Sequence, residues 1–528
     1  MAETVLIIED ETSLANNLAA ALARGGVNAV IADSLAAASG RIGSAHYDLV
    51  CADIQLGDGS GLDFCEDMRR VRPDLPVIMM TGQDTADNRL RSEGFGAAAF
   101  IAKPFPLTRF RDMVAAMLRE KQGSQPSAGA PRILMYSHDT IGLGHMRRNS
   151  AIAARIVEQN PRASVLMLVG SPSGIPFALP PGVDYIKLPS LTKVGRSLWR
   201  PQSLRVSPAE VISLRAALIE QAAISFAPNL FLVDHEPSGV SGELIPTLER
   251  LRAEKTELIL GLRDILDEPD VTLKNWEARG TNQIVKGLYD RIFVYGDEGV
   301  FPTRQAYGLE KLLPGKVTSC GYVTSLDGSR GHAAAKPAKA RIVVAGGGGR
   351  DAFPLLVATL EALALIPGEE RPDADIISGP LMDAELVQPL EKAAADLGVR
   401  FLKSHPDIPA LLAAADLFIT MGGYNSIIEA VSAGCPALVV PRVGPSAEQR
   451  LRAECLAKRG IVEMIAANDA DAKRLVDAIR KVRPGALRKV ASLDLGGAER
   501  AAEIICGLVE KNAQARLSAK KEIKHANA

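Results

Sequence analysis

The chain of 528 residues carries 61 basic against 62 acidic side chains, a formal net charge of −1, so no global field recruits nucleic acid. Its 47% hydrophobic content allows each of about three ordinary-sized domains to bury a core. The cysteines (Cys51, Cys65, Cys320, Cys435, Cys455, Cys506) show no metal-ligand spacing, no run reaches a membrane span, and no basic-then-apolar leader opens the chain, so a cytoplasmic protein with reduced thiols is expected.

Residues 1–120 alternate short apolar runs with helical stretches rich in Ala and Leu. Strands are predicted at 5–8, 48–52, 77–80 and 98–102, ending on Glu9 and Asp10, on Asp53, on Thr81 and on Lys103. Such alternation builds a parallel doubly wound sheet, which gathers ligands at the carboxyl ends of its strands. Glu9, Asp10 and Asp53 converging at that edge would repel one another without a cation, and hard oxygen donors suit Mg²⁺. A carboxylate there can also accept a phosphoryl group, with Mg²⁺ and a lysine neutralising the developing charge.

Over its full length this segment resembles the receiver domain of two-component response regulators, a flavodoxin-like fold. The resemblance implies Asp53 as phospho-acceptor, Glu9, Asp10 and Asp53 as the Mg²⁺ site, and Lys103 as the phosphoryl contact. It also implies Thr81 and Phe100 as a switch pair, a Lys103–Pro104 bond that is often cis, and a cognate histidine kinase or phosphotransfer protein as partner. Residues 121–131, rich in Gly, Ser and Pro, read as a flexible linker.

Residues 132–327 open on a strand at 132–136 that runs into Ser137-His138-Asp139-Thr140-Ile141-Gly142-Leu143-Gly144-His145, then Arg147 and Arg148, with a helix predicted from Ser150. The glycines allow a turn that sets His145 near that helix start. An imidazole suits deprotonating an acceptor hydroxyl near neutral pH, given an orienting carboxylate. The competing reading is a helix cap, or a phosphate loop of Arg147 and Arg148 with no base; His138 and Asp139 are weaker candidates. Strands at 231–233, 258–262 and 291–295 end on Asp234-His235-Glu236, Arg263-Asp264 and Gly296-Asp297. Asp234, His235, Glu236 and Arg263 are therefore expected along one cleft, with Asp234 or Glu236 orienting His145 or acting as base itself. Residues 187–205 hold Lys193, Arg196, Trp199 and Arg200 without an acid, which reads as a solvated basic loop, or as an acceptor or membrane-surface contact.

A hinge at 328–339 precedes the second half. A strand at 341–345 meets Gly346-Gly347-Gly348-Gly349-Arg350, where glycines before a helix let phosphate approach the backbone. A strand at 417–420 breaks at Gly422-Gly423, Asn425 or Ser426 is expected to cap the next helix, and the chain turns at Gly434-Cys435-Pro436 into a strand at 437–440. Strand, Gly-Gly and helix N-terminus form an anion site, and Glu429, about one turn further on, can reach a ribose diol. Glu448, Gln449 and Arg450 follow the next strand. The pairs Asp373/Asp375 and Asp469/Asp471 sit at the wrong edge of a strand and in the acidic first turn of a helix, so neither reads as a metal site.

The ordered string Gly422-Gly423-x-Asn425-Ser426-x-x-Glu429-Ala430-x-x-x-Gly434-x-Pro436, ending in Glu448-Gln449, resembles the donor-nucleotide signature of GT-B glycosyltransferases. It is nearest to the UDP-glucuronosyltransferases and the peptidoglycan N-acetylglucosaminyltransferase of the family 28 type. The resemblance implies two Rossmann-like lobes, an acceptor lobe at 132–327 and a donor lobe at 340–512. It implies nucleotide-sugar contacts from Gly347, Gly348, Arg350, Gly422, Gly423, Asn425, Ser426, Glu429, Glu448 and Gln449, and base contacts from the connection at 404–409. His145, Asp234 and Glu236 are the catalytic candidates. A helix at 497–512 is expected to cross back to the first lobe, with a frayed tail over 513–528.

The expected function is hexosyl transfer from a nucleotide-diphospho-sugar, a UDP-sugar favoured, to an unidentified acceptor. Transfer would be inverting if His145 is the base, need no metal, have Arg350 or Arg450 at the leaving diphosphate, and be regulated through Asp53 in a phosphorelay. A sugar-nucleotide epimerase of the same fold, or a non-catalytic signalling protein that binds a sugar nucleotide, are the rival readings. A homodimer and peripheral membrane contact stay open.

Overall fold

The computed structural model describes residues 3–42, 47–72, 75–82, 97–124, 130–138, 144–171, 178–195, 198–324, 339–405, 407–484 and 493–526. The chain divides into two compact units, Met1–Gly129 and Ala130–Ala528.

The first unit is a five-stranded parallel sheet of β1 (Thr4–Ile8), β2 (Asn28–Ala32), β3 (Leu49–Asp53), β4 (Val77–Thr81) and β5 (Ala99–Ala102), in the order β2-β1-β3-β4-β5. The central strands are apolar throughout because both faces are covered. Leu6, Val50 and Met79 pack towards Leu62, Cys65 and Met68 of the helix Gly61–Val71, and Val5, Cys51 and Met80 pack towards Leu18, Phe110 and Val114. The strand order reverses between β1 and β3, and Glu9, Asp10 and Asp53 emerge at that crevice. The sequence reading missed β2, an edge strand whose first four residues are not buried and which therefore lacks a fully apolar run.

The second unit holds two parallel sheets. The first contains β6 (Arg132–Ser137), β7 (Ser164–Val169), β8 (Val183–Lys187), β11 (Leu230–Asp234), β12 (Glu257–Arg263), β13 (Arg291–Tyr295) and β14 (Val317–Ser319), ordered β8-β7-β6-β11-β12-β13-β14. Between β8 and β11 the chain forms an antiparallel hairpin, β9 (Leu191–Gly195) and β10 (Leu198–Pro201). This replaces the basic loop expected there; Arg196 and the Lys193 side chain lie outside the described residues.

The second sheet contains β15 (Arg341–Ala345), β16 (Asp373–Ile377), β17 (Arg400–Leu402), β18 (Leu417–Thr420), β19 (Ala437–Val439) and β20 (Glu463–Met464), ordered β17-β16-β15-β18-β19-β20. Each sheet reverses order once, at β6/β11 and at β15/β18. The loops leaving those four strands carry His145, Asp234, the tetraglycine and the Gly422-Gly423 pair. This is the two-lobed GT-B arrangement, and each lobe offers its switch point to the cleft.

One buried cluster joins the lobes, with Ile133, Met146 and Ile156 on one side and Val343, Phe418 and Ile427 on the other. The last helix, Gly497–Ala526, crosses back onto the first lobe and lies along the helix Gly144–Gln159, where Arg155 Nε meets Glu499 Oε1 at 2.9 Å. It runs beyond the expected boundary at 512, since residues 513–526 are mostly Ala, Lys, Glu and other good helix formers. Asp375 is buried within β16 between Arg341 and Arg400 of the flanking strands, and Asp471 caps the helix Ala472–Arg480 through the Arg474 amide, 2.9 Å away. Asp375 and Asp471 thus have structural partners. Among the described residues, no helix is long and apolar enough to cross a membrane.

Candidate active site and phospho-acceptor site

In the first unit the carboxylates of Glu9, Asp10 and Asp53 offer ligand atoms within 4.8 Å of one another. Lys103, just after β5, places Nζ 2.6 Å from Asp53 Oδ2 and 2.7 Å from Glu9 Oε2. Asp10 Oδ2 accepts from the Gly57 amide at 2.9 Å. Burial pushes the Glu9 carboxyl up despite Lys103. Burial also pulls on the Lys103 ammonium, but its bonds to Asp53 and Glu9 outweigh this and raise it. Three close oxygen donors, one of them held up by desolvation, fit a small hard dication. Thr81 is buried at the end of β4, its carbonyl accepting from the Lys103 amide at 2.6 Å. Phe100 is half-buried in β5, and the Lys103–Pro104 bond is cis.

In the second unit the first-lobe helix begins at Gly144, not at Ser150, and so takes up His145, Arg147 and Arg148 in its opening turns. The polar Arg-Arg-Asn run had argued for a loop. Instead Arg148 and Asn149 are buried, and packing overrides their polarity. His145 Nδ1 lies 2.5 Å from Asp234 Oδ2 at the end of β11, and Arg148 Nη2 lies 2.5 Å from Asp234 Oδ1 and 3.0 Å from His145 Nδ1. Nδ1 can bond only one of the two: as a donor it serves the nearer Asp234 carboxylate and leaves the lone pair on Nε2, and the Arg148 contact to Nδ1 is then a close approach without a hydrogen bond. Burial lowers the His145 pKa, with the Arg148 and Arg263 charges adding to it and Asp234 opposing. Asp234 is pulled the opposite way by burial, yet Arg148 and His145 hold its carboxyl down at about 2.

Arg148 is itself buried, its guanidinium 5.3 Å from the Tyr295 ring and 5.6 Å from the ring of Tyr424 in the second lobe. The His138, His145 and His235 rings form a triangle with centroids 5.1 to 6.0 Å apart. His235 has φ +70°, which turns the chain sharply just after Asp234. Glu236 lies on the rim, 4.0 Å from Arg279 Nη1. Asp139 and Gly142 fall outside the described residues.

A cavity of about 750 Å³ opens between the lobes, with His235, Glu236 and Trp276 on one wall and Gly348, Arg350 and Gln449 on the other. Gly349 has φ +98°, and a Cβ there would lie 2.3 Å from the Ser378 carbonyl oxygen, so the tetraglycine passes against the neighbouring backbone as no other residue could.

The profile of the response regulator receiver domain matches residues 5–115, and that of the glycosyltransferase family 28 C-terminal domain matches residues 342–504. The chain thus carries a receiver-domain match followed by a family 28 C-terminal-domain match. The receiver is 37% identical over 123 residues to the transcriptional regulatory protein PmrA of Pectobacterium parmentieri, a match spanning 23% of this chain and 55% of that protein. Among solved structures, the glycosyltransferase of kitacinnamycin aligns over 73% of this chain and 98% of its own, at 17% identity and TM-score 0.45. A UDP-glucosyltransferase from Polygonum tinctorium aligns over 73% of this chain and 100% of its own, at 15% identity and TM-score 0.46.

Within the family 28 domain the predicted contacts separate. Gly348, Arg350 and Gln449 line the cavity, beside Gly346 and Gly349; Gly347 stands in the same turn with φ +74°. The motif helix begins at Tyr424 with Gly423 as its cap, so Asn425 and Ser426 lie inside the first turn and do not cap it. Gly422, at φ +83°, makes the turn. Glu429 is buried and bonded to Arg147 of the first lobe at 2.6 Å, beside Asn425 in a small crevice; burial raises its pKa against Arg147. Glu448 pairs with Arg263 at 2.7 Å and with Arg452 at 3.0 Å. Arg450 is engaged by Glu454 and Glu268 and lines a neighbouring pocket, while Arg442 lines both that pocket and the cavity.

Sequence reasoning gave Arg148 only a place in a phosphate loop, and it missed Trp276, Arg442 and Tyr424. Only Arg148 had a local signal, its three-residue spacing from His145.

Proposed function

We propose that the second unit transfers a hexose from a nucleotide-diphospho-sugar, a UDP-sugar favoured, to an acceptor hydroxyl, with inversion. His145 Nε2 takes the acceptor proton as the oxygen attacks the anomeric carbon. The bond from that carbon to the diphosphate oxygen breaks, and the nucleoside diphosphate leaves with the electron pair. Asp234 fixes the tautomer and stabilises the imidazolium that forms. Arg350, Arg442 and the amides of the Gly346–Gly349 turn stabilise the departing charge, without a metal. The single observation that supports this most is the His145–Asp234 contact of 2.5 Å beside a cleft whose far wall carries the glycine turns.

The receiver, in this reading, regulates transfer. Asp53 attacks a phosphohistidine phosphorus, the P–N bond breaks, and an acyl phosphate forms with Lys103 at its charge. Glu9, Asp10 and Asp53 would hold Mg²⁺, which supplies charge neutralisation on the phosphoryl oxygens. The partner would be a histidine kinase or phosphotransfer protein.

The test is to incubate the full chain with UDP-, GDP-, CDP-, dTDP- and ADP-sugars and a pool of hydroxyl acceptors. One nucleotide series giving glycosylated product, lost in His145→Ala, is expected. A changed donor sugar without product would mark an epimerase, and saturable binding without turnover a signalling module.

A further inference from the structure

The acceptor-lobe wall of the cavity comes from a helix to which the sequence gave no role, Pro269–Ala278. Thr272, Asn275, Trp276 and Arg279 are spaced three, four and seven residues from the first, which puts them on one side of the helix, and all four line the cavity. Trp276 is half-buried and packs against the lobe's core, so its indole is held from behind while it faces the cavity. Thr272 is 5% exposed, and its Oγ1 has no hydrogen-bond partner among the described residues. The cavity continues to His235, whose ring lies 5.1 Å from that of His145.

We propose that this helix face is the acceptor subsite and that the acceptor is a saccharide, with one pyranose ring lying on Trp276. The inference rests on the transferase reading above and names the class of its second substrate. A pyranose has a face of C–H bonds that packs on the negative face of an indole. Its edge carries hydroxyls, each both donor and acceptor, and so do the Thr272 hydroxyl and the Asn275 amide that flank the platform. A flat aromatic alcohol would also cover Trp276, but its one hydroxyl is the reacting group, which leaves none for Thr272 Oγ1 and the Asn275 amide.

Trp199 and Trp276 are the only two tryptophans in the chain, so Trp199→Phe leaves Trp276 as the sole indole reporter. The full chain, labelled and saturated with UDP, is applied to a printed array of bacterial and plant oligosaccharides. The best array saccharide is then titrated into the Trp199→Phe chain while its emission is followed. Binding of a set of saccharides, with a shift in emission, is expected. It should weaken by about tenfold or more in Trp276→Ala and in Asn275→Ala, and by about threefold or less in Trp276→Phe, which keeps a ring face. Thermal melts of all variants separate lost binding from lost fold, and Trp276→Phe serves if Trp276→Ala does not fold. No saccharide above background, or equal binding by the folded Trp276→Ala and Asn275→Ala proteins, overturns the subsite. UDP binding measured on the same wild-type sample keeps the two claims apart: UDP bound with no saccharide sinks the subsite alone, and no nucleotide bound sinks the transferase reading beneath it.

Discussion

At the scale of single residues, His145, Asp234 and Arg148 set a protonation state. Burial and Arg148 lower the His145 pKa, which favours the neutral imidazole that the proposed base role requires. The transfer rate should be flat across the neutral range and fall only on the acid side of an ordinary histidine. Arg148→Met removes a neighbouring positive charge and leaves Asp234 to His145 alone, so the acid limb should move to higher pH; an unmoved limb would refute the assignment. His145→Ala should cost on the order of 10²–10⁴-fold in rate while nucleotide binding persists, as expected for a general base. Asp234 has a stability consequence with the usual sign for a depressed carboxylate. Its contribution is complete above the ordinary aspartate range and is lost as pH falls towards about 2. Wild type should therefore lose more stability than Asp234→Asn between about pH 4 and about pH 2, in denaturant melts across that range. His145 and Asp234 were legible because polar residues at strand ends advertise themselves. Arg148 was not, because its role depends on the helix starting at Gly144, which a glycine-rich, doubly basic stretch conceals.

Among the elements, the central strands were readable to within a residue or so, since runs buried on both faces have no polar interruption. The edge strands β2, β8, β14, β17 and β20, and β7 beside an edge, were not, because half-exposed or very short strands carry mixed or minimal patterns. The motif helix shows the same limit. Its Gly-Gly was legible, while its cap was misplaced, because Gly422 takes the left-handed turn that lets Gly423 lead directly into Tyr424. Gly422→Ala would place a Cβ 2.7 Å from Val439 Cγ1 at φ +83°. The expected loss is at least about 1–2 kcal/mol of stability from the backbone alone, with weaker nucleotide binding, read by thermal melt and calorimetry.

For the molecule as a whole, the lobes are tied by ion pairs that no single-lobe pattern could have announced. Arg452 and Asp264 are fully buried and 2.7 Å apart across the seam, Arg263 meets Glu448, and Arg147 meets Glu429. Tyr424 has Arg148 of one lobe and Arg452 of the other, each over its ring at 5.6 and 5.5 Å. Removing one partner strands the other charge in a dry site. Asp264→Ala should cost about 3–5 kcal/mol in chemical unfolding, far more than loss of an exposed pair. Regulation belongs to this scale too. Phosphorylating Asp53 with a small phosphoryl donor should change the transfer rate, and Asp53→Ala should abolish the change; equal rates with and without the donor would count against the coupling.

The last helix has a consequence in time. The helix that carries His145 is made before the whole second lobe, yet its covering partners, among them Ala498, Ala501, Ala502 and Ile505, follow that lobe in the chain. On the ribosome, the first lobe must wait with an open seam while the whole second lobe emerges. Translation that stops short of residue 497 thus leaves the helix that carries His145 without this cover.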